Sequence, residues 1–187
     1  MVILRETTSQ AAVSALASAW EQPQSFAYLP AKSSVDEGWV RRCLEQLPAH
    51  LAEGHFALLT SGSTGQPKLV VGERLRAEAL ARVLHGVQDS EPLQETILTL
   101  PLSYCYAFVN QWLWSRVAGR RLVGTAGFAD PAALGQALEA AQEAMLCLVG
   151  AQLPLLRTNF GSRRFPGVRP PQRRGGQLVA SSTKYRA

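Results

Sequence analysis

Between Glu95 and Phe160, short apolar stretches alternate with segments of helical periodicity, and this rhythm restricts the fold more than any other feature of the chain. ETILTLPL reads as a strand ending at Pro101, AFVNQWLWSRVAG as a helix ending at Gly119, and RRLVGT as another short strand. Asp130 followed by Pro131 is an N-cap with proline at the first helical position, opening a helix over PAALGQALEAAQEA. MLCLVG is then a buried strand and AQLPLLRTNF a short helix. Strands and helices in this order pack as helices against a sheet, since parallel neighbours need a crossover that buries its apolar stripe on the strands. The predicted class is α/β, a largely parallel sheet with flanking helices.

Upstream the pattern is looser. SQAAVSALASAW (Ser9–Trp20) has amphipathic helical spacing, and EQPQSFAYLPAKSS, with two prolines, reads as a loop. Ser34 and Glu37 match the S-x-x-E capping box, which would open a helix through VDEGWVRRCLEQL with Trp39, Val40, Cys43, Leu44 and Leu47 as its buried stripe. HFALLTSG is a short apolar run that stops at hydroxyls and glycine, KLVVG is extended, and ERLRAEALARVLHGV is helical. The expected division is a helical segment over 1–50, an α/β body over 51–168 and a basic, coil-like tail over 169–187.

The chain of 187 residues is 47% hydrophobic and 18% charged, enough for one buried core. No apolar run approaches bilayer length, and Arg5 and Glu6 interrupt the first apolar patch before a signal peptide could form. Cys43, Cys105 and Cys147 are odd in number and widely spaced, which fits reduced thiols and a cytoplasmic setting rather than a disulfide framework. His50, His55 and His85 show no ligand spacing, so no protein-held metal is expected. Glu143 is the last acidic residue, and eight of the 19 basic residues follow it, leaving 11 basic against 14 acidic before it. The excess positive charge therefore sits at one end, where aromatics are too few to interleave with bases; a solvated terminus is expected, not a nucleic-acid or membrane partner.

The residues that carry chemistry are TSGSTGQPK, Thr60 to Lys68. Gly62 and Gly65 let backbone N–H groups approach phosphate oxygens, while Thr60, Ser61, Ser63 and Thr64 add hydroxyl donors and Lys68 a positive charge. This is not the common P-loop, because Gln66 and Pro67 separate the second glycine from the lysine and Pro67 keeps Lys68 out of a helix starting there.

The order T-S-G-S-T-G-x-P-K closely resembles the phosphate loop of the adenylate-forming superfamily, which comprises acyl- and aryl-CoA synthetases, adenylation domains of nonribosomal peptide synthetases, and luciferases. LPLSYCYAFVNQWLWSRVAGRRLV (Leu100–Val123) and AMLCLVGAQLPLLRTNFGSRRFPGVR resemble the units that follow in that family, so the likeness runs from about Phe56 to Val168. It implies ATP and Mg²⁺ as cofactors and a two-step reaction. A carboxylic acid attacks the α-phosphate to give an acyl adenylate and pyrophosphate, and coenzyme A or a carrier-protein thiol then takes the acyl group. By the same resemblance Thr60, Ser61, Gly62, Ser63, Thr64, Gly65 and Lys68 hold the β- and γ-phosphates, with Lys68 as the catalytic cation. Tyr104 stands either beside the acyl pocket or as an ordinary strand-end tyrosine. Of Trp112 and Trp114, one is expected in the core, with a role in the acyl pocket as the alternative.

The family's later motifs, Y-G-x-T-E, T-G-D and a C-terminal lysine that contacts the carboxylate, are not found after Val168. The expectation is an N-terminal part of such a ligase, truncated, frame-shifted or completed by a second polypeptide. An exposed apolar face would then favour self-association. The alternative is an inactive adenylation fold kept as an interaction module.

Overall fold

A computed structural model describes residues 1–7, 9–32, 35–60 and 67–169. Two four-stranded sheets organise them. In the first, β1 (Val2–Arg5), β2 (Phe26–Leu29) and β3 (His55–Thr60) are parallel, and β4 (Lys68–Glu73) lies antiparallel to β3 at the edge. The second is parallel throughout, in the order β6 (Arg121–Val123), β5 (Glu95–Ile97), β7 (Ala144–Leu146), β8 (Val168–Arg169). The helices are α1 (Ser9–Glu21), α2 (Glu37–Glu45), α3 (Arg74–Val87), α4 (Cys105–Ala107), α5 (Trp114–Ala118), α6 (Pro131–Glu139) and α7 (Leu153–Phe160). A π-helical stretch, Phe108–Leu113, joins α4 to α5. The mixed α/β class with a largely parallel sheet is as predicted.

Three local readings are corrected. The stretch read as a proline-bounded loop contains β2, whose four residues FAYL are all buried; a strand covered on both faces has no polar alternation to reveal it. With β1 it places two strands inside the segment expected to be helical. The cap of α2 is Asp36, whose carboxylate accepts from the N–H groups of Gly38 and Trp39, both at 3.0 Å. Glu37 pairs instead with Arg5 and Arg41, and Ser34 lies outside the described residues. The third correction concerns the tryptophans. Trp112 and Trp114 are both buried, because two residues on a helix point to opposite sides. Trp112 joins the core with Trp20, Phe26, Phe56 and Phe108, whereas Trp114 packs with Leu93, Met145 and Cys147 under the second sheet.

The first core spans both sheets. Ala12, Leu16 and Trp20 of α1 and Ala81 of α3 meet Phe26, Tyr28, Phe56 and Leu58 of the first sheet, together with Leu98 and Leu102 beyond the end of β5. The opposite face of the first sheet is covered by Val40, with Trp39 and Leu44, from α2. Gly119 closes α5 in the left-handed conformation at φ 64°, and the Asp130 carboxylate caps α6 through the Ala133 N–H at 3.0 Å, both as the sequence implies.

Candidate functional site

Thr60 and Lys68, the first and last residues of T-S-G-S-T-G-x-P-K, end the two paired strands of a β-hairpin. β3 and β4 pair from His55↔Glu73 to Thr60↔Lys68, so the residues that bracket the loop are cross-strand partners. Thr60 donates its Oγ1 hydrogen to the Lys68 carbonyl at 3.5 Å. Ser61, Gly62, Ser63, Thr64, Gly65 and Gln66 lie outside the described residues. Strand alternation sends Leu69 and Val71 into the core with α2 and leaves Lys68 exposed on the other face. Among the described residues Lys68 has no ion-pair partner.

Tyr104 belongs to the second sheet's half of the molecule. It is 49% exposed and sits before α4 in a turn closed by its own N–H on the Pro101 carbonyl at 3.0 Å. Among the described residues no hydrogen bond joins it to Thr60 or Lys68. The structure connects its turn to the first sheet through Glu6, a residue that sequence reasoning used only to interrupt the first apolar patch. The Glu6 carboxylate accepts from the Leu102 N–H at 2.6 Å, the Ser103 N–H at 3.3 Å and the Ser103 hydroxyl at 2.6 Å. No local pattern announces a contact 96 residues apart in the chain.

Buried polar side chains tie together the carboxyl ends of β5 and β7, the place where open parallel sheets bind ligands. Thr99 donates to the Cys147 carbonyl at 2.8 Å, and the Gln152 amide donates to the Thr99 carbonyl at 2.9 Å while accepting from the Val149 N–H at 3.1 Å. Gln111, fully buried in the π-helical stretch, donates to Thr96 Oγ1 and the Ile97 carbonyl, both at 2.8 Å. A lone glutamine among the apolar residues of AFVNQWLW was the available signal for it. Burial pushes the Cys147 thiol up to about 12, so it stays protonated and inert at neutral pH. A cavity of about 340 Å³ lies at the other end of the hairpin, lined in part by Trp20, His55, Glu73 and Arg74. It is remote from the loop in the hairpin register, and Arg74 there is occupied with the carbonyls of Trp20, Gln22 and Gln24.

Comparison with solved structures decides what this arrangement is. O-succinylbenzoate coenzyme A synthetase (MenE) from Bacillus subtilis in complex with AMP superposes with a TM-score of 0.61 at 14% identity, over 84% of this chain and 50% of that one. The chain shares the fold of part of this coenzyme A synthetase. A point variant of Escherichia coli MenE with bound OSB-AMS matches with a TM-score of 0.60 at 18% identity, over 90% of this chain and 42% of its own. VinN matches with a TM-score of 0.57 at 15% identity, covering 84% of this chain and 52% of VinN. This chain thus spans about half the length of the solved structures it matches. No protein-family model and no curated protein sequence matches it. No helix among the described residues is long and apolar enough to cross a membrane. Nor do three His, Cys, Asp or Glu side chains gather there as a metal cage.

Proposed function

We propose that this chain is the phosphate-binding part of an ATP-dependent, AMP-forming carboxylate ligase. The observation that carries the reading is the hairpin: paired strands ending at Thr60 and Lys68 bracket a glycine- and hydroxyl-rich sequence, and Lys68 is exposed with no ion pair among the described residues. Backbone N–H groups and hydroxyls of Thr60, Ser61, Gly62, Ser63, Thr64 and Gly65 would hold the β- and γ-phosphates of ATP, and Lys68 would neutralise charge as pyrophosphate departs. With no carboxylate cage among the described residues, Mg²⁺ would arrive on the phosphates and take a loop hydroxyl as an additional ligand. The ion would screen phosphate charge. A carboxylic acid would occupy the side of the site that Tyr104 borders, and a coenzyme A or carrier-protein thiol would accept the acyl group. MenE and VinN share the fold, and the MenE structures carry bound AMP or OSB-AMS; this supports the reading without setting the substrate.

Replacing Lys68 by alanine removes one charge-assisted contact, worth about 1.5–3 kcal/mol, and should weaken Mg·ATP binding by about tenfold to a hundredfold in calorimetric titration. The 187-residue chain alone should bind Mg·ATP weakly and support little carboxylate-dependent ATP–pyrophosphate exchange, because it covers only 42–52% of the enzymes it resembles. Equal Mg·ATP affinity in parent and Lys68→Ala would refute the phosphate role. The span of about half those enzymes also favours a second reading, an adenylation fold retained for protein interaction, in which Lys68→Ala changes nothing in the reconstituted assembly.

A further inference from the structure

The two parts of the candidate site stand on different sheets, the hairpin on the first and the Tyr104 turn on the second. We propose that Glu6 is a positioning residue that locks the Tyr104 turn to the first sheet and so sets its place relative to the Lys68 hairpin. Glu6 follows β1 directly, and its own N–H donates to the Leu29 carbonyl at the end of β2 at 2.9 Å, which anchors its backbone to the first sheet. Its carboxylate then collects three donors from two consecutive residues of the turn. An ionised carboxylate offers acceptors only, which suits three converging donors; an amide would turn its own N–H₂ against one of them. Beneath these bonds Leu102 is 1% exposed in the core shared by both sheets, so the turn is held by packing below and by charge-assisted bonds above. Tyr28, buried in the same core and lacking a hydrogen-bond partner for its hydroxyl among the described residues, has its phenol held protonated by burial and then by the negative charge of Glu6. That Tyr104 borders the carboxylate side rests on the ligase reading; the lock itself does not.

The test reads position, not activity. Spin labels are placed on the exposed native Cys105 and on Val70→Cys of β4, with Cys43 replaced by serine and Cys147 left buried. The label-to-label distance is measured by pulsed electron resonance without nucleotide, and amide exchange at Leu102 and Ser103 is followed by NMR. The parent should give one narrow distance. Glu6→Ala should broaden or shift it and speed both amides by about tenfold or more. The isosteric Glu6→Gln should behave like Glu6→Ala, and it carries the test if the alanine variant does not fold. Ser103→Ala, which keeps both backbone bonds, should hold the parent distance. Leu134→Ala, in the separate core under α6, should lower Tm and leave the distance alone, which separates positioning from general destabilisation. An unchanged distance and unchanged exchange in Glu6→Gln overturn the proposal. Because no nucleotide is present in these measurements, equal Mg·ATP affinity in parent and Lys68→Ala would sink the ligase reading while leaving the lock standing.

Discussion

Gly72 offers a sharp test of how the hairpin is built. It pairs with Phe56 across β3 and β4, and a methyl group added there would meet the far ring carbons of Phe56 at 2.7 and 2.9 Å. Such an overlap is harmless if the ring can swing away. Here it cannot, because Phe108 stacks on it at 4.9 Å with an interplanar angle of 20° and Trp20 sits at 5.4 Å. Overpacking a filled core costs about 1–3 kcal/mol, while alanine recovers about 0.5–1 kcal/mol of backbone entropy relative to glycine in a strand. Gly72→Ala should therefore destabilise the protein by about 1–2 kcal/mol, lowering Tm by roughly 2–4 °C for each kcal/mol in a chain of this length. Phe56→Leu removes the ring atoms that clash. In that background the same Gly72→Ala change should become stabilising by about 0.5 kcal/mol or more, since only the entropy term and the filled space remain. Urea unfolding followed by far-UV circular dichroism and tryptophan fluorescence gives all four corners of the cycle. A neutral or stabilising Gly72→Ala in the parent, or the same sign in both backgrounds, would refute the argument.

Other outcomes follow from single contacts. Asp36→Ala strips the cap from two N–H groups at the start of α2 and should cost about 1 kcal/mol of stability, read as a lowered urea midpoint at unchanged slope. Of the three thiols, Cys105 should react first with a disulfide reagent, Cys43 later, and Cys147 only after unfolding, since Cys147 is buried and its thiol is pushed up to about 12. The Glu143 carboxyl is held below the usual range, chiefly by its hydrogen bonds from Arg169, which bind both oxygens at 2.6 Å. A depressed folded-state value stabilises fully above the ordinary carboxylate pKa and is lost as pH falls through the lowered value. Parent and Glu143→Gln should accordingly differ in urea midpoint at neutral pH and converge in acid; a gap that persists or widens in acid would contradict this ion pair as the cause.

Local chemistry was readable wherever a signal fits within a few neighbouring residues. Asp130-Pro131 started α6, Gly119 ended α5, the alternation after Glu95 announced the second sheet, and the run into Thr60 announced β3. β2 was not readable, because burial on both faces erases alternation and the flanking prolines imitate a loop. The helix cap was misplaced by two residues because Ser34 and Asp36 both satisfy the chemistry of a cap, and only the backbone decides which side chain reaches an N–H.

By itself, the sequence determined an α/β chain whose most specific segment is a glycine- and hydroxyl-rich loop ending in lysine. Tertiary structure decided that the strands flanking this segment pair antiparallel, that Trp112 and Trp114 serve two different cores, and that Glu6 reaches the turn before Tyr104. Side-chain periodicity and capping report on neighbours within a turn or two of the chain. A carboxylate that satisfies donors 96 residues away leaves no such trace until the sheets are packed.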